Sequence, residues 1–367
     1  MKNIYLDSSA TVPVYPEVIE AMLPFLTKNY GNPSSPHVMG EIASKAVSGA
    51  RREISSELGC MAQEIVFTSG GTEANCLAFM GLLNKSKKKK IVVSSIEHSS
   101  IREACYILKN EGCEIIEIGV DKEGFVNYKR LEEIIDGKTA LVSVIHGNNE
   151  IGTLQDLGCI AKICESKGAL FHTDAVQTFG RQKLSVKNIG IDMLSVSAHK
   201  IGGPKGIGAL YVREGIKLTP IIAGEQERGL RGGTENVPGI VGFSKALQVT
   251  KKNNINIRGL RNNLMEGIAK IGGKITGSKD KRLDDHVSAY FEGLDAENLM
   301  LYLSQNGVMC STKSACLNKS IKENHVLKAI GLSSMEIKGA IRFGLHPGIT
   351  KGDLSRTLSL IKKFIKG

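Results

Sequence analysis

The chain has 367 residues, 41% of them hydrophobic and 23% charged, which is enough apolar material for one large domain and a smaller one. No stretch approaches the roughly 20 uninterrupted apolar residues of a membrane span, and the start MKNIYLDSSA lacks the apolar core of a secretory signal. These features exclude a membrane-spanning protein and predict a cytoplasmic one. The eight cysteines include no CxxC pair and no close His/Cys cluster, which favours reduced thiols over a disulfide framework or a metal site.

The formal net charge of +11 would suit a nucleic-acid-binding protein. Much of the clustered charge, however, is a single run from Asn84 to Lys90, NKSKKKK, without interleaved aromatic residues. Such a run is typical of a solvated loop before a strand, and we do not expect nucleic acid to be a partner. Contact of Lys87 to Lys90 with an acidic protein or RNA is the alternative.

Six short, nearly continuous apolar runs follow one another along the chain, separated by stretches with helical periodicity. The runs are EIVFTSG, KIVVSSIEH, TALVSVIHGNN, GALFHTDAVQ, DMLSVSAHK and GIGALYVREG. Helix candidates between them include TEANCLAFMGLLN, SSIREACYILKNEG and LGCIAKICESKG, the last two of which end at glycine. This alternation predicts an α/β fold with a mostly parallel, doubly wound sheet.

Polar residues follow directly after five of the apolar runs. In an open α/β sheet, ligands bind just beyond the carboxyl ends of the strands, so residues far apart in the sequence meet there. We therefore expect a cofactor site at these strand ends. The residues concerned are Ser69 to Thr72, Glu97, His98, Asn148, Asn149, Asp174, Gln177, Ser197, His199 and Lys200.

The residue types at these positions indicate which cofactor the site holds. FTSGGTEAN places glycines between a strand and a helix, where backbone N–H groups and the Thr72 hydroxyl can cradle a phosphate. The segment lacks both GxGxxG and GxxxxGK[ST], which argues against a dinucleotide or a nucleoside triphosphate. One phosphate, one lysine (Lys200) and one strand-end carboxylate (Asp174) match pyridoxal 5′-phosphate (PLP). This cofactor needs an amine for its Schiff base and a carboxylate at its pyridine nitrogen.

Each of these residues also has an ordinary structural explanation. Lys200, among the glycines of SVSAHKIGGPKG, could lie in a surface turn, and Asp174 could cap the following helix. His98 could be a half-buried histidine, and Ser197 and His199 could be turn residues. The convergence of five strand ends favours the cofactor site, since an unpaired carboxylate after a buried strand would be costly.

Nine segments, taken in order along nearly the whole chain, match a known family. They are YLDSSAT, GNPSSPH, EIVFTSGGTEAN, HGNNEIGT, FHTDAVQTFG, DMLSVSAHKIGGPKGIGALYV, GTENVPGIVGF, STKSAC and IRFGLH. In this order they resemble the cysteine desulfurases of the NifS/IscS type, PLP enzymes of the class V aminotransferase family. The resemblance implies the PLP-dependent transferase fold type I, also called the aspartate aminotransferase fold. Its large α/β domain has a mostly parallel, doubly wound sheet, and its smaller C-terminal domain is α+β.

The resemblance also implies roles around the cofactor. Lys200 would form the Schiff base, Asp174 would pair with the pyridine nitrogen, and Gln177 would contact the phenolic oxygen. His98 would stack on the ring and take part in proton transfers. Since Thr234 would reach the phosphate from the other subunit, a homodimer is implied. The residues implied to bind the cofactor are Gly71, Thr72, His98, Asn149, Asp174, Gln177, Ser197, His199, Lys200 and Thr234.

Further residues are implied to bind and convert the substrate, L-cysteine. Asn149 and Arg342 would hold its carboxylate, a task that suits the planar fork of a guanidinium. Cys316, in STKSACLNKS, matches the catalytic cysteine of the family. Its thiolate would attack the substrate sulfur, leaving L-alanine and a persulfide on the enzyme. A sulfur acceptor, either an iron–sulfur scaffold or a thiolation protein, would then take the sulfur.

The sequence departs from the family pattern at three places. This chain has SSAT where the family commonly has NNAT, and RFGLH where the family has RFSLG. It has TKSAC, followed by Leu317 and Asn318, where the family has SGSAC. None of these changes removes a residue assigned above to bond making. Cys310, in GVMCSTKSAC, is expected to be a buried cysteine at a strand end, and a second thiol near the loop is the alternative.

Two other functions are compatible with the same pattern. One is a selenocysteine lyase or another PLP lyase on the same fold, and the other is a weakly catalytic sulfur-relay scaffold. Cys316 argues against a transaminase, which has no use for a nucleophilic thiol. The presence of Lys200, Asp174, His98 and Arg342 argues against a scaffold that has lost its chemistry.

The polar stretch TKKNNINIRG is a plausible domain boundary. We therefore expect a large PLP-binding domain at 14–250 and a small domain formed by 1–13 and 251–367. HVSAYFEG and AIRFGLHPG would supply strands of the small domain, with DAENLMLYLSQNG as a helix between them. The small domain would bring Arg342 and the loop with Cys316 to the site.

Overall fold

The computed structural model describes residues 3–252, 256–312 and 324–367. Its strands are β1 (Ile4–Tyr5), β2 (Ile65–Thr68), β3 (Lys90–Ser94), β4 (Glu114–Ile118), β5 (Thr139–Ser143), β6 (Leu170–Asp174), β7 (Met193–Ser197), β8 (Gly208–Val212), β9 (Lys274–Ile275), β10 (His286–Tyr290), β11 (Val308–Met309), β12 (Ser311–Thr312) and β13 (Ala340–Gly344). Its helices are α1 (Pro16–Thr27), α2 (Val38–Leu58), α3 (Gly71–Cys76), α4 (Ser99–Asn110), α5 (Tyr128–Ile134), α6 (Leu157–Lys167), α7 (Val186–Ile189), α8 (Gln226–Gly229), α9 (Val237–Lys252), α10 (Ile257–Lys270), α11 (Ala296–Gln305), α12 (His325–Ala329), α13 (Ser334–Lys338) and α14 (Lys351–Ile365).

The larger sheet has seven strands in the order β2-β8-β7-β6-β5-β3-β4. The pairs among β7, β6, β5, β3 and β4 are parallel, whereas β8 runs antiparallel to both β7 and β2. The predicted α/β fold with a mostly parallel sheet is therefore confirmed, and each of the six apolar runs contains a strand. The edge strand β4 was missed because only one of its five residues is buried, so it does not read as a continuous apolar run.

Helices cover both faces of this sheet. On β5, for example, Val142 packs with Phe171 into the core on one face, whereas Leu141 packs with Met193 into the core on the other. Because side chains alternate between faces, a strand covered on both sides must be apolar at nearly every position. This is why the strands could be recognised as continuous apolar runs.

A second, antiparallel sheet has the order β12-β13-β10-β9. Helices α10, α11 and α14 contribute to its core, which also contains Ile4 and Leu6 from the N-terminal segment. β1 pairs in parallel with β11, and Asp7 bridges to Gly344 at the end of β13. The division of the chain into a large domain at 14–250 and a small domain at 1–13 and 251–367 stays a prediction.

The lysine run is mostly solvated, with Lys85, Lys87 and Lys89 exposed as the sequence suggested, although three of its side chains make hydrogen bonds. Lys88 donates to Gly168 O at 2.9 Å and Lys89 donates to Leu83 O at 2.7 Å. Lys90 begins β3, is buried, and donates to the Asp136 carboxylate at 3.0 Å.

Within the described ranges, no helix has both the length and the apolar character needed to cross a bilayer.

Candidate active site

The carboxyl ends of the parallel strands enclose a cavity of about 330 Å³. Nine of the residues predicted for the site line it, together with others that the sequence did not single out. The nine are Gly71, Thr72, His98, Asn149, Asp174, Gln177, Ser197, His199 and Lys200. The additional ones are Ala10, Asn75, Ile145 and Val176. The convergence expected from the strand ends is thus present in the fold.

Lys200 ends a short 3₁₀ turn, Ala198–Lys200, that follows directly after β7. Its ammonium donates hydrogen bonds to two backbone carbonyls of the N-terminal segment, Ser9 O at 2.5 Å and Ala10 O at 2.7 Å. Burial lowers the pKa of the Lys200 amine to about 8, and the positive charge of Arg342 adds to this effect. The lysine is therefore far easier to deprotonate than one in solvent.

Asp174 ends β6 and accepts two hydrogen bonds that fix its carboxylate. Asn75 Nδ2 donates to Asp174 Oδ2 at 2.8 Å, and the backbone N–H of Val176 donates to Oδ1 at 2.9 Å. Asn75 itself is 1% exposed, and its Oδ1 is buried without a partner in the described structure. Sequence reasoning missed Asn75, although its position one turn after Gly71, in the helix that begins with Gly71 and Thr72, was a usable signal.

A cup with phosphate-binding character lies at the start of α3. The first backbone hydrogen bond of this helix is made by Ala74 N to Gly70 O, so the N–H groups of Gly71 and Thr72 have no helical acceptor. A Cβ on Gly71 would lie 2.7 Å from a methyl of Val176, so a side chain there would collide with the wall of the cavity. These features provide N–H donors and room for an oxyanion.

The two histidines of the site are held by hydroxyl groups. His98 is the N-cap residue of α4, and its Nδ1 lies 2.8 Å from Ser100 Oγ. His199 Nδ1 lies 3.1 Å from Thr11 Oγ1. Burial, assisted by the charge of Lys200, lowers the pKa of His199 to about 4, so this imidazole is neutral at pH 7.

Glu97, beside His98, is a buried carboxyl group that the sequence placed at a strand end but assigned no role. Its Oε1 accepts hydrogen bonds from Ser94 Oγ and from the Ile145 N–H, both at 2.7 Å. Burial raises its pKa to about 8. At neutral pH Glu97 is therefore mainly a protonated acid beneath the cavity wall.

Arg342, on β13, reaches the rim of the site next to Asn149. Its Nη1 donates to Asn149 O at 3.1 Å and to Glu150 Oε1 at 3.0 Å, and its Nη2 donates to Asp7 Oδ1 at 3.1 Å. Its Nε is buried without a partner in the described structure. The structure thus brings the two residues predicted for substrate carboxylate binding together, with two carboxylates around the guanidinium.

Two residues singled out in the sequence lie elsewhere, and a third cannot be placed because it is not among the described residues. Thr234 is exposed and does not line the cavity of its own chain. Cys310 is buried between β11 and β12, and burial raises the pKa of its thiol to about 12. Cys316 lies outside the described residues.

Comparison with known proteins identifies the family. A family model for aminotransferase class-V matches residues 4–356. A protein named cysteine desulfurase IscS, from Methanosarcina thermophila, is 41% identical over 373 residues, covering 100% of this chain and 92% of that protein. A solved NifS-like protein superposes with a TM-score of 0.93 at 34% identity, covering 99% of each chain. A structure titled SspA in complex with cysteine superposes with a TM-score of 0.85 at 36% identity, covering 94% of this chain and 99% of that one.

The seven-stranded sheet and the lysine–aspartate cavity are those of a fold type I PLP-dependent protein, and the chain belongs to the aminotransferase class-V family. Its full-length relatives carry the name cysteine desulfurase, and its structural neighbours include NifS-like proteins. The NifS/IscS resemblance seen in the sequence is thereby confirmed.

Proposed function

We propose that this chain is a PLP-dependent cysteine desulfurase that takes sulfur from L-cysteine through Cys316. The observation that carries the proposal is the shared cavity of Lys200 and Asp174, one bearing an easily deprotonated amine and the other a fixed carboxylate. The relatives named cysteine desulfurase and the solved neighbour with bound cysteine support the substrate.

The residues of the cavity fit PLP. Lys200 would supply the amine that holds the cofactor, Asp174 would supply the carboxylate for its ring nitrogen, and the cup at Gly71 and Thr72 would supply donors for its phosphate. Ser197 and His199 would also contact the phosphate, and Gln177 and His98 would contact the pyridine ring. When bound, PLP supplies an aldehyde for the substrate amine and an electron sink for its Cα.

Lys200 is the proton carrier in this proposal. With a pKa of about 8, the amine is neutral in a substantial fraction of molecules near pH 8, whereas an ordinary lysine is almost fully charged there. A neutral Lys200 Nζ removes the α-proton of the substrate, and Ser9 O and Ala10 O then accept hydrogen bonds from the ammonium that results.

Arg342 and Asn149 bind the substrate carboxylate. The guanidinium already makes carboxylate contacts with Asp7 and Glu150, so its donors are oriented for anions. The substrate carboxylate competes with Glu150 for Nη1, which places the amino acid next to Asn149 at the rim of the cavity.

Cys316 is the sulfur acceptor, an assignment that rests on the sequence motif. Its thiolate attacks the substrate sulfur, so that an S–S bond forms while the bond from Cβ to sulfur breaks. The electron pair of the broken bond stays with the carbon side, which takes up a proton, and the products are a Cys316 persulfide and L-alanine. We further propose a homodimer in which Thr234 reaches the phosphate of the other subunit, transfer of the sulfur to an iron–sulfur scaffold or a thiolation protein, and a cytoplasmic location.

The test is the formation of alanine and sulfide from L-cysteine by the PLP-loaded protein in the presence of a reducing thiol. Wild type should form both, and Cys316→Ala should bind PLP but form neither. Cys159→Ala, which removes an exposed cysteine on α6, is the matched control and should behave as wild type. Alanine from Cys316→Ala at the wild-type rate would move the nucleophile elsewhere. Turnover of L-selenocysteine alone would favour the lyase instead.

A further inference from the structure

The backbone carbonyl of Lys200, like its amine, is held by residues outside its own segment. In a continued helix its carbonyl would accept a hydrogen bond from residue 203 or 204. Gly203 N–H is already bound to Ala198 O at 3.0 Å, and Pro204 has no N–H. The Lys200 carbonyl therefore depends on a donor from outside its own segment.

That donor is Arg181, which follows β6 by seven residues. Its Nη2 donates to Lys200 O at 2.5 Å, and its Nη1 donates to the carboxylate of Asp285. Arg181 is only 20% exposed and Asp285 only 10% in their side chains, so the ion pair is largely removed from solvent. A planar guanidinium can make both contacts at once, which a lysine ammonium on a flexible stem does poorly.

Asp285 immediately precedes β10, a strand of the second sheet. Its carbonyl accepts a hydrogen bond from Leu345 N at 2.7 Å, and β10 pairs with β13 so that Ser288 lies opposite Arg342. The amine end of Lys200 is tied to the same region, since Ser9 and Ala10 follow Ser8, whose Oγ donates to Leu345 O at 2.6 Å. The carbonyl and the amine of Lys200 are thus both connected through hydrogen bonds to the region of the sheet that carries Arg342.

We propose that Arg181 is a positioning residue for Lys200, which bridges the Lys200 carbonyl to Asp285 and so fixes the lysine relative to the substrate-binding arginine. The inference rests on the proposed function of Lys200. Its consequence is kinetic: displacement of a reacting group by about 1 Å costs on the order of a hundredfold in rate, so a lysine on an unbridged turn reacts more slowly with the cofactor.

The experiment follows covalent attachment of PLP to the apoprotein, with borohydride reduction at timed intervals and mass-spectrometric counting of the modified Lys200 peptide. Arg181→Met and Arg181→Lys should each slow attachment about tenfold or more. Arg213→Met is the control, because it removes another arginine–carboxylate pair, with Asp192 at 2.6 Å, remote from Lys200. It should attach PLP at the wild-type rate. Asp285→Asn should also slow attachment, since it weakens the far end of the bridge.

Thermal unfolding of the apoproteins separates positioning from stability. A purely structural ion pair would lower the melting temperature of both arginine variants and leave the attachment rate of the folded protein unchanged, and that result would overturn the inference. Arg181→Lys keeps a cation beside Asp285. If Arg181→Met does not fold, the attachment rate of Arg181→Lys distinguishes a positioning role from a purely structural one. A wild-type rate in Arg181→Lys would show that charge suffices and would also overturn the bridge. Absence of any Lys200 adduct in wild type would instead refute the proposed function.

Discussion

Asn75 and Asp174, which are 99 positions apart in the chain, are joined by a hydrogen bond of 2.8 Å from the amide Nδ2 to the carboxylate Oδ2. Asn75 also donates to Ser100 Oγ at 2.9 Å, so its side chain links α3, the start of α4 and the end of β6. The carboxylate proposed to contact the cofactor is therefore held by a neutral donor that does not compete for its charge.

Loss of this donor should weaken cofactor binding. Asn75→Ala is expected to lower PLP affinity about tenfold, because a hydrogen bond to a charged group contributes about 1.5–3 kcal/mol. The dissociation constant is measured from the absorbance change on adding PLP to the apoprotein. Asn110→Ala, at the exposed end of α4, is the control and should bind as wild type. Unchanged affinity in Asn75→Ala would show that Asp174 needs no such support.

The lowered pKa of Lys200 predicts the pH dependence of cofactor attachment. Only the neutral amine reacts with an aldehyde, so the rate should rise with pH and level off above the pKa of the folded protein. The midpoint should lie near pH 8, well below the 10.5 of an ordinary lysine. Rates of PLP attachment to the apoprotein between pH 6 and pH 10 give the midpoint directly. A rate still rising steeply between pH 9 and pH 10 would contradict the buried environment of the amine.

Replacement of Arg342 should act on substrate binding. Arg342→Lys keeps the charge but cannot reproduce contacts to Asn149, Glu150 and Asp7 with one ammonium, so KM for L-cysteine should rise about tenfold or more. Initial rates of alanine formation over a range of L-cysteine concentrations provide KM. Arg130→Lys, in an exposed pair with Glu133, is the control with the same chemical change. An unchanged KM in Arg342→Lys would contradict the proposal that Arg342 binds the substrate carboxylate.

Glu97 should make the protein less stable as pH rises. Its folded pKa of about 8 exceeds the ordinary 4.5, so between these values the folded protein retains a proton that the unfolded chain releases. The free energy of unfolding therefore falls with rising pH through this window, and the loss is complete above about pH 8. Glu97→Gln keeps an acceptor oxygen for Ser94 and Ile145 but does not titrate.

The variant should consequently gain stability relative to wild type from pH 5 to pH 8, by on the order of several kcal/mol. Urea unfolding at pH 5, 6.5 and 8 measures the difference. Glu133→Gln, at an exposed position on α5, should show no such trend. Parallel pH dependences for Glu97→Gln and wild type would mean that Glu97 is already ionised in the folded protein.

Cys310 should be chemically inert in the native protein. Burial raises the pKa of its thiol to about 12, so very little thiolate is present near neutral pH. Timed alkylation with iodoacetamide at pH 7.5, followed by peptide mapping, should modify the exposed Cys159 in the native protein but Cys310 only after denaturation. Rapid native alkylation of Cys310 would restore the alternative of a second reactive thiol.

The strand-end residues were predictable because parallel strands with two buried faces are readable as apolar runs, and the fold rule then places Asp174 and Lys200 at one edge. Asn75, Glu97 and Arg181 were not assigned roles for a physical reason. Each has a partner far away in the chain that only the packed structure brings near, namely Asp174 for Asn75, Ile145 for Glu97 and Asp285 for Arg181. No periodicity in the segments of these three residues indicates such a partner. The bond from Arg181 to Asp285, for example, spans 104 positions.

The attachment of residues 4–10 to distant parts of the chain also constrains the order of folding during synthesis. Ser8 bonds to Leu345, 337 positions later, and Leu6 O accepts a hydrogen bond from Gly344 N. The ribosome adds about 5–20 residues per second, so residues 4–10 wait tens of seconds for these partners. Since Ser9 O and Ala10 O hold Lys200, a nascent chain can build the seven-stranded sheet early but completes the lysine site only after residues 344 and 345 have been added.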